Sequence, residues 1–216
     1  MQASTVESAT ADRPLLTVHI WQATDAAPNR IRLPVFEKYI LTISRNGRAY
    51  SGHAALESGT DVYISHHPRD RLQITTQNAL QKFQATPANN LPGRWGTRYA
   101  DEAQVRPSLV QVPLTAYNRL YLQQFWAKYR QDDTYNFTNR NCSSAVVFAL
   151  EAALEGVFAH RPFWRTLGRL AVSADMWAAA SIRARANALS WTPGLVLDYV
   201  MLLQRITDPA QADRTP

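Results

Sequence analysis

The sequence predicts an α+β domain: an antiparallel β-sheet packed against helices, with a C-terminal helical extension. Three observations carry this. Short segments rich in β-branched and aromatic residues fill positions 15–68, and an Asn46-Gly47 pair, a favoured hairpin turn, follows one of them. From position 114 onward apolar residues recur at helical spacing instead. Strands first and helices afterwards is the order of an α+β fold, not of alternating βαβ units.

The elements follow in order. Leu15 to Trp21 (LLTVHIW) and Tyr39 to Ser44 (YILTIS) read as strands, the second turning at Arg45-Asn46-Gly47-Arg48. His53 to Glu57 and Val62 to His66 are two more, joined by Ser58-Gly59-Thr60-Asp61. Pro68 closes the last, because proline has no N–H for a ladder. Residues 84–113 carry Pro and Gly throughout and read as a long connection that covers a cleft. Tyr117, Leu120, Tyr121, Phe125 and Tyr129 mark one helix. A second starts at Asn141-Cys142-Ser143 and runs to Phe158, and two more span 163–188 and 194–206 around Thr192-Pro193-Gly194. Residues 1–14 and 207–216 are polar and expected to be disordered. Residues 15–206 then form a single domain whose extension is 160–206.

Composition narrows the function. The 216 residues hold 23 Lys plus Arg against 17 Asp plus Glu, a net charge of +6. At 46% hydrophobic and 19% charged the chain is ordinary globular protein. Only Lys38, Lys82 and Lys128 are lysines, so the basic excess is arginine, which grips phosphates and carboxylates through its fork. No dense basic run appears, so no nucleic-acid partner is expected. The apolar stretches are interrupted by Glu151, Glu155 and Asp175, so no transmembrane segment is expected. The polar start has no Sec-type leader.

The single cysteine, Cys142, excludes an internal disulfide framework and a Cys-rich zinc site. Asn139 or Asn141 caps the helix that follows, so Cys142 falls in its first turn. There the unpaired N–H groups and the helix dipole favour a thiolate nucleophile, and the N–H groups around Asn141 and Ser143 can hold an oxyanion. The bland alternative is a small buried hydrophobe. Among five histidines, His19 sits in an apolar strand and His160 beyond a helix end. His53 opens a short strand beside Gly52, Ala54 and Ala55, which leaves room for a substrate, although a satisfied strand histidine fits as well. A base needs an orienting partner. On the neighbouring strand Val62, Ile64 and His66 share one face, and Tyr63, Ser65 and His67 the other. His66 is the first choice for that partner, then Ser65, then His67; Glu57 shares the His53 face but lies four residues, about 13 Å, along the strand from it. The vicinal His66-His67 pair lacks matched Asp, Glu or Cys spacing, so neither metal nor cofactor is expected.

Gly52-His53-Ala54-Ala55-Leu56-Glu57, a second strand from Val62 to His67 closed by Pro68, and Asn141-Cys142 opening a helix resemble the circularly permuted papain-like cysteine superfamily. That group includes the NlpC-type peptidases and the lecithin retinol acyltransferase-like enzymes. The strand histidine preceding the cysteine, the Asn-Cys pair and Gly59 are similar to the acyltransferase branch. The resemblance covers about 50–70 and 138–158, and departs at Ser143-Ser144, where that branch has an acidic residue and a histidine. It implies a permuted papain-like fold with Cys142 as nucleophile, His53 as base and a polar third residue.

Two features lean towards a membrane-lipid substrate. One is the branch resemblance. The other is the stretch from His160 to Trp191, where Arg161, Arg165, Arg169, Arg183 and Arg185 alternate with Phe163, Trp164, Leu167, Leu170, Trp177 and Ile182. Such a segment suits an anionic lipid interface, and equally an amphipathic helix packed on the core. The expectation is a cysteine acyl hydrolase or acyltransferase working through a thioester. The resemblance adds an antibacterial effector role, with an immunity or secretion partner, residence in the producing cell's cytoplasm and export without a Sec leader. A cysteine peptidase or amidase and a non-catalytic binding module are the competing functions.

Overall fold

The structure, a computed structural model, describes residues 15–23, 38–39, 42–70, 74–157 and 173–207. Six antiparallel strands make the main sheet: β1 (Leu16–Trp21), β4 (His53–Ser58), β5 (Val62–Pro68), β6 (Leu91–Trp95), β7 (Val110–Leu114) and β8 (Thr134–Tyr135), in the order β7-β1-β4-β5-β6-β8. A separate hairpin pairs β2 (Thr42–Ile43) with β3 (Ala49–Tyr50). Its turn uses Gly47 at φ +75°, a conformation L side chains resist. The helices are α1 (Tyr99–Val105), α2 (Arg119–Tyr129), α3 (Cys142–Leu154), α4 (Ala174–Ala188) and α5 (Pro193–Thr207).

The sheet is covered on both sides, and this sets where polar groups can go. Leu16, Val18 and Ile20 of β1, Ala54 and Leu56 of β4, and Val62 and Ile64 of β5 face α3 and α5. From α3 come Ala145, Val146, Val147, Ala149, Leu150 and Ala153, a helix buried nearly all round because small and β-branched residues let it approach the strands. Each fully buried aliphatic side chain there contributes about 1.5–3 kcal/mol. On the opposite face Trp21, Ala55 and Tyr63 pack with Tyr99 of α1.

The α+β class expected from the sequence is present. Three element boundaries differ. Residues 84–113 are not a structureless connection: they supply β6, α1 and β7. Pro113 is tolerated because β7 is an edge strand, while Pro92-Gly93 inside β6 gives that strand a turn-like composition. Of the second strand, Thr42–Ile43 is extended among the described residues, whereas Tyr39 is helical. The helix from Cys142 ends at Leu154, short of Phe158. The expected extension also enters the main core, since Val196, Tyr199 and Val200 of α5 join the cluster beneath the sheet. Pro193 opens that helix at the position where a missing N–H costs nothing. His160 and the arginines and aromatics of 161–170, like both chain ends, lie outside the described residues.

Candidate active site

Cys142 is the first residue of α3, and Asn141 is its N-cap. The Asn141 Oδ1 accepts from the Ser144 N–H at 2.9 Å, and the Asn141 N–H donates to Ser144 Oγ at 2.9 Å, a reciprocal capping box. Asn141 Nδ2 donates to the Phe137 and Trp191 carbonyls at 2.8 and 3.1 Å. Asn141 is therefore fully engaged in holding the helix start, and its amide is not free to bind an oxyanion. The groups that approach the sulfur are the backbone N–H groups of Ala54, Ser143 and Cys142, with Ser143 Oγ at 3.8 Å. Burial raises the thiol above its ordinary pKa, and these donors offset part of that rise.

His53 sits in a polar network on the other side of the sheet. The register pairs Ala55 with Ser65 and Glu57 with Tyr63, so His53, Ser65 and His67 share a face. Ser65 Oγ lies 2.8 Å from His53 Nε2, 2.9 Å from His67 Nε2 and 2.7 Å from Glu102 Oε1. The carboxylate can only accept, so Ser65 donates its one hydroxyl proton to Glu102 and accepts from His53. Hydrogen-bond logic thereby assigns His53 the Nε2–H tautomer and leaves Nδ1 with a lone pair. His67 Nε2 also donates to Glu102 Oε1 at 2.9 Å, and its ring stacks on that of His53 at 4.2 Å. Burial, with His67 adding to it and Glu102 opposing it, pushes His53 down to about 3, so the imidazole is neutral. Burial alone would raise Glu102; the His67 hydrogen bond, the field of His53 and the Ser65 hydroxyl bring it down to about 2.

Glu102 was not foreseen. It stands in the first turn of α1, within the stretch read as a loop. The acidic pair Asp101-Glu102 in a segment expected to cover a cleft was the available signal. Gly96 makes room for it: a Cβ there would fall 2.5 Å from Glu102 Oε1 and 2.9 Å from Ser65 Cβ.

His66, the first choice for the third residue, does not touch His53. One residue of strand register puts it on the face of Val62 and Ile64. There it is 1% exposed, stacks on Trp95 at 4.0 Å and donates from Nε2 to the Asp133 carbonyl at 3.2 Å. Burial lowers it to about 4. Glu57 shares the His53 face but turns to His19 Nε2, 3.4 Å away. Ser65 and His67 are the two candidates brought to His53.

Cys142 and His53 come from opposite faces of the sheet and open on one cavity. They line this cavity, of about 500 Å³, with His67, Arg69, Asp70 and Arg94, and no hydrogen bond joins them. Cys142 also lines a second cavity, of about 300 Å³, whose walls include Phe83, Phe137, Leu189, Trp191, Pro193 and Leu195. Cys142 thus lines both a chamber of mixed polarity, rich in charged and imidazole side chains, and a mainly apolar one. Of the aromatic, arginine-rich C-terminal stretch, Trp177 is 67% exposed, whereas Trp191 is core and Arg183 pairs with Glu151. Among the described residues no helix is long and apolar enough to cross a membrane.

Compared with known proteins, the chain matches no family model, no curated protein and no solved structure.

Proposed function

We propose that the protein is a thiol-dependent acyl hydrolase or acyltransferase that acts on an amphipathic ester, foremost a membrane phospholipid, through a thioester on Cys142. The position of Cys142 in the lining of both chambers carries the proposal. A lipid ester has its carbonyl at the junction of an apolar chain and a polar head, and a cleft of that polarity seats one half on each side. The order of a strand histidine before a helix-opening cysteine also fits a permuted papain-like enzyme. Here Ser65 and Glu102 would take the part of the third residue.

The chemistry follows from the assigned tautomer. His53 Nδ1 accepts the thiol proton as Sγ attacks the ester carbonyl, which requires the imidazole to close on the sulfur. The N–H groups of Cys142 and Ser143 stand beside the developing oxyanion. Collapse breaks the C–O bond, and the leaving alcohol takes its proton from His53. Water or an acceptor alcohol then attacks the thioester with His53 again as base, releasing the acyl product and the thiol. Glu102, through Ser65, holds the ring and stabilises its protonated form. An antibacterial effector role with an immunity partner rests on the family resemblance.

A non-catalytic binding module is favoured by three observations: Cys142 is buried, burial raises its thiol pKa, and it has no hydrogen bond to His53. Phospholipid vesicles treated with wild type, Cys142→Ala and His53→Ala separate these functions. Mass spectrometry is expected to find free fatty acid and lysolipid, or a transacylated product, with wild type alone. Equal product from Cys142→Ala would overturn the scheme, and new amines from a peptide substrate without lipid products would assign a peptidase.

A further inference from the structure

His66 and His67, adjacent in sequence, point to opposite faces of β5 and cannot chelate one ion together. The fold pairs His67 with more distant groups. One ring nitrogen each of His53 and His67 and a carboxylate oxygen of Glu102 all lie within 4.8 Å of one another. They come from β4, β5 and α1, three elements fixed by sheet pairing and by packing on the sheet. We propose that His53, His67 and Glu102 form a binding site for a zinc-like transition-metal dication, and that the bound metal switches the thiol chemistry off. The second half rests on the proposed function; the site itself does not.

Two imidazoles and one carboxylate are a zinc donor set, with ligand atoms roughly 2.0–2.2 Å from the metal. Tetrahedral geometry at that radius sets ligand atoms roughly 3.3 Å apart. Each imidazole lies near a different carboxylate oxygen, His67 Nε2 2.9 Å from Glu102 Oε1 and His53 Nε2 3.7 Å from Glu102 Oε2. The one-atom-per-residue set is wider, within 4.8 Å, so the side chains must draw together to close on an ion. Ser65 Oγ now fills the point on which the three converge. Rotation about its single χ1 would vacate that point, and the adjoining cavity, about 500 Å³, supplies water for the fourth position. Arg94, in register with His67, stands at the cavity wall, and its like charge opposes a cation, so the donor set must outweigh it.

The switch is a matter of where one proton sits. In the metal-free site His53 carries its proton on Nε2 and keeps the Nδ1 lone pair for the thiol. A metal–Nε2 bond replaces the Nε2–H bond, and the neutral ring then carries that proton on Nδ1. The imidazole stays neutral, no proton is gained or lost, and no base faces Cys142.

The test is isothermal titration of zinc chloride into metal-stripped Cys142→Ala protein, which removes the one thiol that could bind zinc. One equivalent is expected, with affinity at least tenfold weaker in Cys142→Ala carrying His67→Ala or Glu102→Gln. Circular dichroism checks that each variant is folded, and His67→Asn, close in size and unable to chelate likewise, serves if His67→Ala is not. Cobalt(II) gives a second readout, the visible absorption of a four-coordinate site. No saturable binding, or binding unchanged in both ligand variants, would overturn the site. Zinc inhibition of the wild-type acyl reaction, reversed by EDTA, supports the switch, and acceleration by zinc overturns it. Zinc binding intact alongside a complete absence of acyl activity would overturn the proposed function and leave the site standing.

Discussion

Ser65 presents its hydroxyl oxygen 2.8 Å from His53 Nε2, and the same oxygen lies 2.7 Å from the Glu102 carboxylate. A single hydroxyl thereby passes the influence of a partly buried negative charge to the imidazole and fixes which ring nitrogen is free. Ser65→Ala removes the relay but leaves Glu102 Oε2 3.7 Å from the ring. Turnover is expected to fall roughly tenfold in Ser65→Ala. In His53→Ala it should fall by about 10²–10⁴, the usual worth of a general base. Glu102→Gln should lie between them. Steady-state kinetics on one ester substrate checks the order, and a Ser65→Ala loss as large as that of His53→Ala would contradict the relay.

Asn141 acts on stability and on the placement of Cys142. Asn141→Ala loses the cap, about 1–2 kcal/mol. It also removes the amide donor from the buried Trp191 carbonyl, which keeps only the 3.3 Å contact from Ser190 Oγ, about 0.5–1.5 kcal/mol more. Denaturant unfolding should register a sum in that range. A loss of a few tenths would mean that the capping box does little for the helix start.

The thiol has a pH signature. Burial sets its pKa above the ordinary value, with the Ala54 and Ser143 N–H groups only partly offsetting it. A group whose folded pKa is raised contributes stability that is fully present below the unfolded pKa and is lost as pH rises through the folded one. Iodoacetamide labelling of the native protein should therefore have its midpoint at higher pH than labelling of the unfolded chain. Cys142→Ala should be less alkali-sensitive than wild type. A native midpoint at or below the unfolded one would show a preformed thiolate.

If the proposed function holds, the apolar chamber is where the acyl chain would lie. Leu195 of α5 lines it, and Leu195→Trp fills part of its volume of about 300 Å³. Activity on long-chain esters should drop while short-chain esters are still turned over. Equal loss on both would place the acyl chain elsewhere.

Much of the architecture was legible in the sequence because its signals are local. Asn46-Gly47 marks a hairpin, and Asn141-Cys142-Ser143 marks a helix start, each through its own backbone chemistry. The partner of His53 was not legible, because it depends on strand register: a shift of one exchanges His66 for Ser65 or His67. Glu102 was hidden for a different reason. The strands around it carry Pro92, Gly93 and Pro113, which read as loop when the neighbouring chains that pair with them are out of view. Nor does any local pattern report that Cys142 and His53 approach one cavity from opposite faces of a sheet.

Intact-protein mass spectrometry after a brief exposure to an activated phospholipid or fatty-acyl ester tests the central claim most directly. The proposed chemistry predicts one acyl mass added to wild type, located on Cys142, released by hydroxylamine and absent from Cys142→Ala. No adduct on wild type under turnover, or an adduct that persists in Cys142→Ala, would contradict Cys142 as the nucleophile.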